Sequence, residues 1–324
     1  MFSPKESTVF SADNNRVLRD TGATYPILQA PMAWIARSQL VSAVSAAGAI
    51  GLLESSSRDP AVFREELAKV RASTARPFGV NLAIKFLKGN ADTEALILDA
   101  VIHGGVRFVT TSAGDPGRYV KRLRDAGIVV YHSVPSLEGA LKAVDAGVDG
   151  LIVEGGESAG IRGPEPVHSF VLLQAVRERV DLPIVAAGGI VDGRGMAAAF
   201  ALGAEGVAMG TRFVAATESP VHANYKAAIV EAGPAGTVAL PMPPGATSRV
   251  LKTELARQLA AGVDLPSRSK DIIQDLYRDG RTDIALGSAG ESAGLIHAIK
   301  PAAQIIEETI AGFAQVIERL AALR

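Results

Sequence analysis

Short apolar runs recur along the chain, separated by longer segments in which apolar residues return every three or four positions. The short runs, at 26–31, 49–54, 78–83, 107–112, 128–133, 150–155, 183–188 and 206–211, read as buried strands. The intervening segments, among them DPAVFREELAKVRA, DTEALILDAVIHGG and SLEGALKAVDAG, read as amphipathic helices, several closed by glycine. Strand–helix alternation calls for parallel strands joined by right-handed crossovers. Eight such strands close into a (β/α)₈ barrel, a TIM barrel of the α/β class. An open doubly wound sheet would carry a glycine-rich turn after its first strand. That place holds Ala30-Pro31-Met32-Ala33-Trp34 instead, and the glycine clusters come late.

Regularity breaks after the eighth strand. Residues 219–233 read as a helix, GPAGTVALPMPPGATSRV as turns, 251–287 as mainly helical and 288–296 as a glycine-rich stretch. A long amphipathic helix over 301–323 closes the chain. Residues 1–234 and 288–324 are thus expected to form the barrel with its closing helix. Residues 235–287 are expected to form a mostly helical, lid-like insertion over its mouth.

Composition narrows the function. A chain of 324 residues suits a barrel with an addition, and 48% hydrophobic residues suits strands buried on both faces. With 33 basic against 34 acidic residues, no net field favours nucleic acid or an anionic membrane. No uninterrupted apolar run approaches the ~20 residues that cross a bilayer. The segment MFSPKESTVF has neither the basic start nor the apolar centre of a signal peptide. The expectation is a cytoplasmic protein with a small-molecule substrate and no nucleic-acid or membrane partner; a homodimer is compatible with it. The absence of cysteine removes disulfides, thiolate zinc sites and cysteine nucleophiles. The five histidines do not cluster in sequence, so no metal is expected.

Two glycine-rich turns carry the first chemical signal. Ala187-Gly188-Gly189-Ile190 ends the seventh strand, Asp192-Gly193-Arg194-Gly195 opens the next helix, and Met209-Gly210-Thr211-Arg212 ends the eighth strand. Glycine lets backbone N–H groups approach an anion closely, and a helix N-terminus favours negative charge. The loops after strands seven and eight are where such barrels commonly bind phosphate. The same glycines also suit ordinary tight turns, and phosphosugar isomerases share the device.

These turns join Gln29-Ala30-Pro31-Met32, Phe78-Gly79-Val80-Asn81-Leu82 and Glu154-Gly155-Gly156-Glu157-Ser158-Ala159-Gly160 in one ordered set. The set resembles the nitronate monooxygenase (2-nitropropane dioxygenase) family and its relatives, the flavin-dependent enoyl-acyl-carrier-protein reductases and an NADH:quinone reductase. The resemblance implies FMN. It places Ala30, Pro31 and Met32 beside the flavin ring, with Asn81, Glu154, Ala159 and Gly160 near it. Ala187, Gly188, Gly189, Gly210 and Thr211 fall at the phosphate. The barrel dehydrogenases that act on inosine monophosphate need a cysteine, which this chain lacks.

One departure concerns catalysis. The family has a histidine in a Gly-His-x-Gly pattern, and this chain reads Gly160-Ile161-Arg162-Gly163. Isoleucine cannot carry a proton. Candidate catalytic residues are therefore Glu154, Arg162 as an anion holder, and His168 as a substitute base. Ser133 stands where some relatives have lysine. His132 reads as a strand-end residue or a site residue, and Trp34 as a packing or a stacking group. Three functions follow: oxidation of a nitronate or similar electron-rich anion with flavin and oxygen; reduction of an enoyl thioester or quinone with NADH or NADPH as donor; and binding of flavin or phosphate without turnover. In the first, nitronates are preferred to nitroalkanes, which must first lose a proton.

Overall fold

The computed structural model describes residues 10–323 apart from 57, 243, 244, 264–268 and 270. Residues 1–9, where no signal peptide is expected, lie outside the described residues. Eight parallel strands close into a barrel: β1 (Ile27–Gln29), β2 (Ile50–Glu54), β3 (Gly79–Ala83), β4 (Phe108–Ser112), β5 (Val129–Val134), β6 (Gly150–Glu154), β8 (Ile184–Ala187) and β9 (Gly206–Met209). The ring closes where Leu28 of β1 pairs with Ala208 of β9. Every expected barrel strand is present. The remaining strand of this region, β7 (Gly160–Arg162), leaves the barrel mouth and joins a separate sheet.

Alternation along the strands explains how the barrel is filled. Leu28, Ile50, Leu52, Phe108, Tyr131, Ile152 and Val185 form one buried cluster inside it. Glycine makes room for the aromatic rings: a Cβ on Gly150 would stand 2.3 Å from Tyr131 Cζ. Two residues further along the same faces the character changes to Glu54, Asn81, Thr110, Ser133 and Glu154. The barrel is apolar through its middle and polar toward the carboxyl ends of its strands. Sites form at that end in this fold.

Amphipathic helices cover the outside. Pro60–Ser73 begins on an Asp59 cap followed by proline, and Ala91–His103 begins on an Asn90 cap. The closing helix, Ala302–Ala321, buries Ile305, Ile306, Ile310 and Phe313 and lies on the helix Gly193–Ala201. Approach is closest at Gly193, where a Cβ would stand 2.0 Å from the Phe313 backbone nitrogen.

The insertion departs from the helical expectation. It opens with a β-hairpin, β10 (Thr237–Met242) and β11 (Ala246–Leu251), whose second strand pairs antiparallel with β7. Helical segments Glu254–Ala260 and Ile273–Arg278 follow. Pro241 and the Pro-Pro-Gly run mask these strands in the sequence. Their ladder is completed by β7, some 80 residues away in the chain, and no local pattern reports such a partner.

Candidate active site

The carboxyl ends of the barrel strands surround a cavity of about 280 Å³. Ala30, Pro31 and Met32 line it from the loop after β1, and Glu154 from the end of β6. Ala159 and Gly160 come from the approach to β7, Ala187, Gly188 and Gly189 from the end of β8, and Gly210 and Thr211 from beyond β9. The fold thus gathers every residue that the resemblance assigns to the cofactor, except Asn81.

The late glycines present bare backbone. Gly188 and Gly189 have φ of 103° and 73°, the left-handed region that side chains rarely adopt. A Cβ on Gly188 would press at 3.0 Å on the hydroxyls of Ser158 and Ser169. The N–H groups of Gly189, Ile190, Gly210 and Thr211 donate to no acceptor among the described residues. Unused backbone donors bordering one cavity are costly unless water or a ligand accepts from them.

The neighbouring helix corrects part of the expected phosphate device. Asp192 caps Gly193–Ala201, accepting from the N–H groups of Arg194 at 2.9 Å and Gly195 at 3.1 Å. That helix start is already neutralised, and Gly193 serves helix packing. Thr211 is also partly committed, since its Oγ1 accepts from Gly290 N–H at 3.0 Å. This bond ties the 288–292 stretch to the cavity wall, where Ser288, Gly290 and Ser292 add to the lining.

Glu154 accepts from Ser133 Oγ at 3.2 Å and forms an ion pair with Arg162 Nη2. Arg162 also donates to the Ala159 carbonyl at 2.8 Å, and its side chain is only 10% exposed. It is neither a solvated loop arginine nor a free anion holder. Its charge is spent on Glu154, and it braces the Ala159–Gly160 turn against the barrel.

Asn81 lies lower, in the polar layer, and does not line the cavity. Its side chain accepts from Thr110 Oγ1 at 3.0 Å and donates to Ser112 Oγ at 3.3 Å. Gln29 is fully buried and satisfied by its own surroundings, donating to Ala30 O and accepting from Leu52 N–H.

The candidate substitute base is displaced. His168 is the exposed N-cap residue of the helix Ser169–Arg177 and does not line the cavity. The carboxylate that closes this helix start is Glu157, which accepts from Ser169 N–H and Oγ. Ile161 is 53% exposed on β7 and also lies outside the lining.

His132 is the strand-end residue of the two readings, buried with Nδ1 2.8 Å from Thr111 Oγ1. Burial pushes its pKa down from 6.5 to about 4, against smaller opposing effects of Thr111 and Asp115. An unfolded chain therefore binds this proton near pH 6.5, whereas the folded chain binds it only near pH 4. Stability should fall as pH drops through that window. The thermal midpoint is expected to decline there, and His132→Gln to flatten the decline. An undiminished decline in the variant would assign it to other groups.

The insertion supplies a wall residue that the sequence reading missed. Tyr277 lines the cavity from the π-helical turn Ile273–Arg278. It stacks on Trp34 at 5.4 Å between ring centroids and on Tyr225 at 5.9 Å. Trp34 itself has φ of 62°, an uncommon conformation for a bulky residue, and packs against the insertion. The available signal was an aromatic residue in a segment expected to cover the mouth.

Fold and cavity define the class: a closed (β/α)₈ barrel whose mouth joins unused backbone donors, a braced carboxylate and a phenol. A family model described as nitronate monooxygenase matches residues 15–312. The chain is 38% identical over 263 residues to the (3aS,4S,5R,7aS)-5-hydroxy-7a-methyl-1-oxo-octahydro-1H-indene-4-carboxyl-CoA dehydrogenase of Mycobacterium tuberculosis, covering 80% of this chain and 71% of that protein. FabK from Thermotoga maritima superposes with a TM-score of 0.87 at 38% identity, covering 96% of this chain and 99% of that one. Nitroalkane oxidase from Streptomyces ansochromogenes superposes with a TM-score of 0.82 at 28% identity, over 94% and 99% of the two chains. The chain belongs to the nitronate monooxygenase family. Among the described residues, no helix is long and apolar enough to cross a membrane.

Proposed function

We propose that this protein holds FMN by its phosphate and acts as an oxidoreductase on acyl thioesters, with NADH or NADPH as the second substrate. The flavin part rests on the unpartnered N–H groups of Gly189, Ile190, Gly210 and Thr211, which suit the oxygens of a phosphate. Bound there, FMN would supply the hydride-accepting and hydride-donating ring. Ala30, Pro31 and Met32 would form one wall for that ring. Glu154, fixed by Arg162 and Ser133, would keep a negative charge at a defined place. Residues 235–287 would act as a side wall of the site.

The cavity lining argues against nitroalkane oxidation, and the relatives favour the thioester branch. No histidine does so among the described residues, and the ionisable side chains there are Glu154 and Tyr277. A positioned base typically contributes ~10²–10⁴-fold to proton abstraction from carbon. Neither oxidation of a preformed nitronate nor reduction of an enoyl thioester needs such abstraction, and of these two the relatives favour the thioester. The 38% identity to a carboxyl-CoA dehydrogenase and to FabK supports the same branch.

Anaerobic mixing with NADH or NADPH should bleach the flavin, and crotonyl-CoA should restore its colour. Bleaching by a nitronate but not by reduced nicotinamide would replace this reading with nitronate oxidation, which the family name favours. No bleaching by any donor would leave a binding protein.

A further inference from the structure

The phenol of Tyr277 has no role in holding the fold that its surroundings reveal. Its ring is fixed on both faces, by Trp34 and by Tyr225. The Tyr225 hydroxyl has a partner, donating to Ser288 O at 2.7 Å. The Tyr277 hydroxyl has none among the described residues, although the residue is only 7% exposed. It is nevertheless open to a solvent-sized molecule, unlike the sealed and unpartnered Tyr119 Oη and Ser219 Oγ. Tyr277 is a wall residue of the candidate active-site cavity.

The backbone around it is unusual as well. Tyr277 sits on a π-helical turn, a geometry that is rare and frequent at functional sites. Its carbonyl accepts from His222 N–H at 2.8 Å, which pins the turn to the element before the helix Ala223–Val230. Ring and backbone are both held while the polar tip is left free. The hydroxyl is open to water rather than sealed, so it is free to exchange that water for an acceptor that arrives with a ligand.

We propose that Tyr277 is a catalytic hydrogen-bond donor, holding the carbonyl oxygen of the acyl thioester and stabilising the negative charge that develops on it. The assignment rests on the thioester reading above. No proton leaves the phenol: the O–H remains intact and its hydrogen bond strengthens as the carbonyl becomes enolate-like. Burial raises the phenol to about 12, so it stays protonated and able to donate across the working pH range. Stacking between Trp34 and Tyr225 fixes its direction in advance, the condition under which such a donor stabilises a developing charge.

The test compares the flavin-loaded protein with Tyr277→Phe, which keeps both stacking contacts and removes only the hydroxyl. Three measurements apply. Calorimetric titration of the apoprotein with FMN should give the same affinity in both. Infrared difference spectra with carbonyl-labelled crotonyl-CoA should show the thioester carbonyl stretch shifted to lower frequency in the unaltered protein and restored in the variant. The value of kcat/KM for crotonyl-CoA should fall ~10²–10³-fold, the usual loss on removing one such donor, while flavin reduction by reduced nicotinamide stays unchanged. An unshifted carbonyl in the unaltered protein, or equal shifts in both, overturns the role of Tyr277 and leaves the thioester reading standing. Weakened FMN binding in the variant also overturns it, by assigning the hydroxyl to the cofactor. Failure of crotonyl-CoA to bind the unaltered protein overturns the thioester reading, and the Tyr277 assignment with it.

Discussion

Gly189→Val is expected to weaken FMN binding by about a hundredfold or more while the barrel remains folded. Gly189 has φ of 73°, and a β-branched residue resists that conformation. Holding it there costs on the order of 1–3 kcal/mol, and relaxing it turns the N–H groups of 189 and 190 away from the cavity. Each charge-assisted bond to phosphate lost in this way removes roughly 1.5–3 kcal/mol. Relaxation that loses the bonds from both N–H groups removes roughly 3 kcal/mol or more, which reaches the ~2.8 kcal/mol that a hundredfold represents. Sterically the site is forgiving, since the nearest atom to a new Cβ is Glu157 Cγ at 3.8 Å. Calorimetric FMN titration should show the loss, with far-ultraviolet circular dichroism unchanged. Full flavin affinity in the variant would exclude the turn from the phosphate site.

Arg162→Met is expected to destabilise the protein by about 2–3 kcal/mol and to loosen the ligand site at the same time. The substitution leaves Glu154 without its counterion and the Ala159 carbonyl without a donor. Breaking a fully buried pair costs roughly 3–5 kcal/mol. The lower figure applies because the Glu154 side chain is 29% exposed and water can partly replace the arginine. Adding Glu154→Gln should recover more than half of the loss, because no unpaired charge then remains. Urea unfolding of both variants measures this. An Arg162→Met midpoint equal to the original would mean that the pair does not brace the turn. The pair is imperfect even as it stands, since Arg162 Nε is buried without a partner.

The barrel was legible because its strands are buried on both faces, so each appears as a continuous apolar run between turn signals. The cavity wall was legible because backbone contact with a ligand demands glycine and small residues at strand ends, and Gly188, Gly189 and Gly210 stand there openly. What stayed hidden depended on distant partners. The hairpin β10–β11 takes its third strand from β7, and its prolines imitate turns. Tyr277 carries no motif, and its place in the wall follows from stacking on Trp34, more than two hundred residues away in the chain. Asp192 looked like part of an anion-binding helix start, yet it is the anion at that helix start. His168 was drawn into consideration by the missing family histidine, but its position opening a surface helix keeps it out of the cavity.

Backbone donors at the end of β8 and beyond β9 are proposed to grip the phosphate of FMN. Calorimetric titration of the apoprotein with FMN and with riboflavin tests this, because the two ligands differ only in that phosphate. The geometry predicts FMN binding tighter than riboflavin by about a hundredfold or more, the equivalent of one to two charge-assisted hydrogen bonds. Equal affinities for the two would contradict it.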